Sequence, residues 1–175
     1  MGARYMEGVE RHEVRLLPHN EDWIKEFQLL KPVLIKILGD NVLDIQHVGS
    51  TSIKDINAKP ILDVAVKVFS FAKLNIEGMQ QQGYDYCGES GVLGRALFIL
   101  RRDGHISLQH VHCYEEGNTD FENQVCFRDY LNKNPNIAKQ YDDLKRDLAM
   151  KYPKDRLKYT EGKEQFIQSI LKLAN

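Results

Sequence analysis

HVGSTSIKDINAKPILDVAVKV, residues 47–68, decides how this chain is read. It runs as a strand end, a Gly-Ser turn, a polar loop and a strand carrying one acid. Asp63 sits among Ile61, Leu62, Val64, Val66 and Val68. An ionised carboxylate in such company is costly unless something pairs with it. Two roles fit it: holding a divalent ion, or accepting hydrogen bonds from the GSTS loop and so fixing the turn. Gly49 permits a tight turn and a close backbone approach. Ser50, Thr51 and Ser52 bring hydroxyls and N–H groups that can cradle a phosphate, or simply cap the turn. Lys59 precedes Pro60, which favours an extended backbone there. Its ammonium can offer a point charge to a phosphate or pair with a surface carboxylate.

The rest of the chain frames that segment. At 175 residues it is expected to form one domain, residues 13–175, behind a loose, flexible tail at residues 1–12. Twenty-four basic residues face 25 acidic ones, for a net charge of −1. Nothing in that balance points to nucleic acid or an anionic membrane. No apolar run reaches the length of a membrane span, and the charged N-terminus lacks an apolar signal core. Cys87, Cys113 and Cys126 form no C-x-x-C pair. A reduced, cytoplasmic setting fits that usage.

Periodicity supplies the elements. Val14–Leu17 alternates as a short strand. Asn20 is placed to cap a helix in which Trp23, Phe27, Leu30, Leu34 and Leu38 recur at helical spacing. Pro32 predicts a kink or break near Leu30. Strands are expected at residues 42–48, 61–69, 84–87, 96–101 and 105–114. Arg102-Asp103-Gly104 forms a hairpin turn, and GESGVLG, residues 88–94, a glycine-rich connector. Helices are expected over 72–82, 121–132 and 135–151. After a break at 153–159, Thr160 would cap a last helix. Strands first and helices after make an α+β domain with a sheet of four to six strands.

Further candidates lie downstream. His110 and His112 alternate on a strand, so both imidazoles face one side. They can contact phosphate, act as a base or bind metal, or be buried, hydrogen-bonded rings. His47 is a possible third member of that cluster. In FRDYL, residues 127–131, Phe127, Tyr130 and Leu131 share a helical face that belongs in the core. Arg128 is left to reach an anion bidentately or to form a surface ion pair. Arg95, Arg101 and Arg102 flank the middle strands. Lys145 and Lys163 are weaker candidates, read chiefly as solvated lysines.

These blocks resemble the GrpB family of small bacterial proteins. The resemblance rests on Ile45, His47, Val48, Gly49, Ser50, Thr51 and Ser52, then on Ala58, Lys59, Pro60, Ile61, Leu62 and Asp63. It continues through the HVH of residues 110–112, FRDYL, Tyr141 to Lys145 and the opening LLPHNEDWIKEF. It implies a nucleotidyltransferase-like mixed sheet with helices behind it and a helical C-terminal third. It also implies a site for a nucleotide or other phosphate-bearing small molecule. Gly49, Ser50, Thr51, Ser52, Lys59 and Arg128 would bind it, Asp63, His110 and His112 would act on it, and Asp63 would hold Mg²⁺ or Mn²⁺. The superfamily's second acid, two residues on, is missing: Ala65 stands there. Two acids at i and i+2 share a strand face and can jointly hold a metal. Three readings follow. One is metal-dependent nucleotidyl transfer. Another is a non-catalytic module for a nucleotide or coenzyme A precursor, since a similar domain is fused behind dephospho-coenzyme A kinase in some bacteria. The third is a metal hydrolase built on His47, His110 and His112.

Overall fold

Alternation along two neighbouring strands sets the two faces of the molecule. The computed structural model describes residues 5–175. In chain order its elements are β1 (Val9–Glu10), α1 (Asp22–Leu38), β2 (Val42–Val48), β3 (Leu62–Val68), α2 (Ile76–Gln81), β4 (Tyr84–Tyr86), β5 (Arg95–Arg102), β6 (Ile106–Glu115), α3 (Thr119–Lys133), α4 (Pro135–Lys151) and α5 (Arg156–Ala174). The sheet order is β2-β3-β6-β5-β4, with β1 added on β6. β3 and β6 run parallel, and the other pairings are antiparallel. This is the expected α+β architecture, with six strands and a helical last third. Among the described residues no helix is long and apolar enough to cross a membrane.

Side chains alternate across each strand. Leu62, Val64, Val66 and Val68 therefore share one face, and they pack with Phe98, Val111 and Cys113 against Trp23, Leu30, Leu34 and Leu38 of α1. The opposite face carries Asp63, His110 and His112. There, Val48, Ala65 and Tyr114 meet Phe121 of α3. The last three helices hold a second core of Ile53, Ile56, Leu131, Ala138, Tyr141 and Ile170. Phe127 and Tyr130 pack against it, as their spacing in FRDYL predicts.

Most boundaries fall where periodicity places them, and the departures have physical causes. α1 runs unbroken through Pro32. Pro32 and Gln28 both face outward, so the carbonyl that loses its N–H partner is on the water side. Asn20 stands one residue before the N-cap, Glu21, and its side chain accepts from Asp22 N–H at 2.9 Å in the entry turn. Val14–Leu17 forms only an isolated bridge, Leu17 to Ala58. α2 is short: Asn75 accepts from Gly78 N–H and starts a fresh helix after a single turn at Phe71–Lys73. The last helix begins at Arg156 rather than at Thr160, because Asp155 accepts from Lys158 N–H and caps it. The expected loose tail is a correction over residues 5–12; residues 1–4 lie outside the described residues. Met6 is buried in the main core, β1 pairs with Ile106 and Ser107, and Gly8 N–H donates to the Pro60 carbonyl.

The loop between Gly49 and β3 is clamped onto α4. Asp142 accepts from Asn57 N–H at 2.8 Å and from the Asn57 side-chain amide at 3.1 and 3.0 Å. Fully buried Lys145 donates to the Asn57 carbonyl. Ile53 and Ile56 anchor the same loop from below. That clamp fixes Lys59 and the start of β3.

Asp142→Ala would strand the backbone N–H and the side-chain amide of Asn57 and remove a charge that favours the Lys145 ammonium. We expect a loss of about 3 kcal/mol, read as a thermal midpoint lowered by about 6 to 12 °C. A variant melting with its parent would show that the clamp contributes little. Gly49 has φ of +71° and ψ of −176°, and a Cβ there would lie 2.6 Å from Asp63 Oδ2. Gly49→Ala should cost about 1 to 3 kcal/mol from backbone strain alone, plus the clash. Equal denaturant midpoints for Gly49→Ala and parent would refute that close approach.

Candidate functional site

A cavity of about 920 Å³ opens over the second sheet face. Gly49, Ser50 and Thr51 form one edge. Asp63 from β3 and His110 and His112 from β6 form its floor. Leu97 and Ile99 of β5 give it an apolar wall, and Arg156, Tyr159 and Lys163 of α5 close the far side. The register explains the floor: Asp63 lies opposite His110 and Ala65 opposite His112 on parallel neighbours. Alternation then aims one carboxylate and two imidazoles to the same side.

Asp63 is held by its neighbours. Its Oδ1 lies 2.9 Å from His112 Nε2 and 3.6 Å from His110 Nδ1. Burial pushes the Asp63 carboxyl up, but the two imidazoles outweigh it and hold it well below the usual carboxylate range. The proton on His112 can be placed by elimination. Arg95 Nη1 sits 3.3 Å from His112 Nδ1, and a guanidinium only donates. Nδ1 must therefore accept, so Nε2 carries the hydrogen and donates to Asp63. Arg95 is itself pinned by the carbonyls of Glu89 at 3.2 and 3.1 Å and of Ser90 at 2.9 Å. The glycine-rich connector thus reaches the floor of the cavity through one arginine.

His110 is different. Burial pushes its imidazole down, against the pull of Asp63. Its Nδ1 makes only a long contact to Asp63 Oδ1, 3.6 Å, and its buried Nε2 has no hydrogen-bond partner among the described residues.

The walls are cationic. Arg11, Lys59, Arg95, Arg101, Arg156 and Lys163 line the cavity against Asp63, Asp120 and Glu164. Lys59 and Lys163 both lie against the buried Tyr159 ring, with ammonium groups 5.4 and 4.6 Å from its centroid. Burial, then mutual repulsion with Lys163 and Arg156, pushes Lys59 down to about 7. Burial also pushes Lys163 down to about 8, with Arg156 adding to the effect and Asp63 opposing it. Neither lysine forms an ion pair within 4.0 Å among the described residues. Arg101 does, to Asp85 at 2.5 Å.

Gly49, Ser50, Thr51, Lys59, Asp63, His110 and His112 are thus brought together, while three other sequence candidates are not. Ser52 turns its hydroxyl back to the Gly49 carbonyl at 2.5 Å. Arg128 does not face the cavity: it donates to Gln46 Oε1 and the His47 carbonyl at 2.9 and 2.8 Å and pairs with Asp129. His47 points to the opposite face, stacked on Phe27 and 2.9 Å from Thr51 Oγ1. Burial pushes its imidazole down to about 4. Sequence reading missed Arg156 and Tyr159 and undervalued Lys163. Their signal was present: spacings of three and seven residues put all three on one helix face, hidden by starting that helix at Thr160.

The floor fits Mg²⁺ poorly. Mg²⁺ takes near-octahedral oxygen ligands, commonly from one or two carboxylates plus water and phosphate. Here there is one carboxylate, its Oδ1 engaged by His112, with two imidazoles beside it and cations around it.

Comparison with known proteins agrees with this arrangement of elements. Residues 13–173 match the family described as GrpB protein. The chain is 40% identical over 171 residues to the glutamate-rich protein GrpB of Alkalihalophilus pseudofirmus, covering 95% of this chain and 98% of that protein. It is 38% identical over 161 residues to the UPF0157 protein YqkA of Bacillus subtilis, covering 91% of this chain and 46% of that longer protein. The crystal structure of the conserved protein GrpB from Enterococcus faecalis superimposes with a TM-score of 0.84 at 34% identity, covering 91% of this chain and 96% of that one. The chain belongs to the GrpB family.

Proposed function

We propose that the cavity binds a small molecule bearing phosphate groups, a nucleotide being the leading candidate. The observation that carries this reading is the pair Lys59 and Lys163. Both are desolvated, neither has a carboxylate partner within 4.0 Å among the described residues, and both face the same space beside Arg156. Cations placed so are unfavourable in the free protein, and a polyanion relieves them. The volume suits a nucleotide-sized ligand. Leu97, Ile99 and Val92 give an apolar wall for a base or a pantetheine arm. Ser50 lies by the Tyr141 hydroxyl at the loop edge, within the same space.

Binding without transfer is favoured over nucleotidyl transfer by one observation. Ala65 packs with Val48, Tyr114 and Phe121, and its strand position supplies no second acid to share a metal with Asp63. Mg²⁺ and Mn²⁺ enter this reading only as components to be varied. Mn²⁺ accepts imidazole more readily than Mg²⁺ does.

A thermal-shift panel of nucleoside triphosphates and coenzyme A precursors, with and without Mg²⁺ or Mn²⁺, tests the reading. A ligand at about a hundred times its dissociation constant adds about 2.7 kcal/mol, a rise of about 5 to 11 °C for a chain this size. A flat panel removes nucleotides from consideration. Lys59→Met and Lys163→Met should each weaken a binding ligand by about 10-fold or more, the worth of one charge-assisted contact.

The lysines also predict a pH signature. Folded values near 7 and 8 stand below the 10.5 of a free lysine. Between about pH 7 and pH 9 the unfolded chain keeps protons that the folded chain has released, so the two lysines make stability rise with pH. The free parent should gain stability across that window relative to the double variant Lys59→Met/Lys163→Met. Parallel stability curves for the two proteins would contradict the assignment.

A further inference from the structure

The floor of the cavity holds a half-buried imidazole, His110, whose buried Nε2 has no hydrogen-bond partner among the described residues. Its Nδ1 stands 3.6 Å from Asp63 Oδ1. Buried polar groups left in this way are costly, and an exception asks for an explanation. The ring does not sit alone. One ligand atom from each of Asp63, His110 and His112 can be chosen so that all lie within 4.8 Å of one another. All three residues border the cavity.

We infer that Asp63, His110 and His112 form a three-ligand site for a first-row transition ion such as Zn²⁺, rather than for Mg²⁺. Two imidazoles and one carboxylate are the donor types that such ions take. Three protein ligands also leave at least one coordination position open. That position faces the cavity, where a ligand's phosphate would arrive. The ion supplies the partner that His110 lacks, and Asp63 supplies the one negative charge. The inference stands apart from the anion reading, because it rests on the floor of the cavity and not on its walls.

Arg95 gives the site a specific signature. A histidine that ligates through Nε2 needs its proton on Nδ1, usually donated to a carbonyl or carboxylate. Here Nδ1 faces the Arg95 guanidinium at 3.3 Å, which cannot accept it. Arg95 therefore holds His112 in the tautomer that gives its Nε2 proton to Asp63, and opposes the metal. Replacing it with an acceptor should help the metal bind. Arg95→Gln offers a carbonyl oxygen to the Nδ1 proton, and outer-shell partners of this kind change metal affinity by about 10- to 100-fold.

The experiment is calorimetric titration of the chelator-stripped full chain with ZnCl₂, MnCl₂ and MgCl₂. We expect one Zn²⁺ per chain, bound far more tightly than Mg²⁺. His110→Ala and His112→Ala should weaken Zn²⁺ by about 10-fold or more, and Arg95→Gln should tighten it by about 10-fold. The unaltered chain gives a check that no variant's folding can spoil. Loaded with Co²⁺, it should show visible d–d bands without thiolate charge transfer, since the three donors are nitrogen and oxygen. No binding of Zn²⁺ or Co²⁺ overturns the inference. So does Zn²⁺ binding unchanged in His110→Ala, which assigns the ion to surface histidines or cysteines, and so does a thiolate band. Mg²⁺ binding as tight as Zn²⁺ overturns it as well. Anion binding, measured separately with tripolyphosphate in metal-free buffer, tests the walls of the cavity. Loss of one result therefore does not imply loss of the other.

Discussion

The parallel pairing of β3 with β6 is the constraint on which the site depends. It sets Asp63 beside His110 and Ala65 beside His112. A slip of one residue in either strand would turn its side chains to the opposite face. The apolar set of β3 resists that slip, because Leu62, Val64, Val66 and Val68 are all fully buried against α1. The core thus fixes the register, and the register fixes the chemistry of the cavity floor. Gly49 adds the second half of the constraint. Only a residue without Cβ lets the backbone cross so close to the Asp63 carboxylate.

The walls follow a different logic. Lys59 is delivered by a loop whose path is set by Asn57, Asp142 and Lys145, and Lys163 by a helix that Asp155 caps. Both ammonium groups lie against the Tyr159 ring, and all three residues border the same space. A cation over a ring face gains about 0.5 to 2 kcal/mol. That is small against the desolvation of a buried charge, which is why both lysines release protons so readily. Such an arrangement is poor for stability and good for meeting an anion.

Much of this was legible in the residues. The strand at 42–48, the acid-bearing strand and the His-x-His strand follow from period-two alternation, and the Gly49 turn follows from glycine chemistry. Their convergence on one face was implied by parity, although which strands are neighbours was not. The failures were of two kinds. Asp155 and Thr160 are both good cap residues five positions apart, and the choice between them decided whether Arg156 and Tyr159 belonged to a helix. Arg128 and His47 show the other kind. Their residue types suit a site, but tertiary packing carries His47 onto Phe27 and Arg128 onto a strand-end carbonyl. Arg11 and His12 reach the cavity from a segment whose charge suggested a tail. Two apolar residues, Met6 and Val9, hold that segment down.

One electrostatic consequence joins floor and walls. A pair of carboxylates on one strand face would offer two negative charges to a metal and leave little for cationic walls to repel. In this chain Ala65 stands two residues beyond Asp63, and imidazoles supply the remaining donors. The floor therefore carries a single negative charge, already shared among His112, His110 and the cations around it. On the proposed reading, a divalent ion there makes the cavity more positive, not less. The missing counter-charge must then come from the ligand. An anion that bridges the ion and the two lysines would satisfy all of them at once, so metal and phosphate should each strengthen the other's binding. By thermodynamic reciprocity the two enhancements are equal. On that reading the cavity holds a metal and an anion together better than either alone.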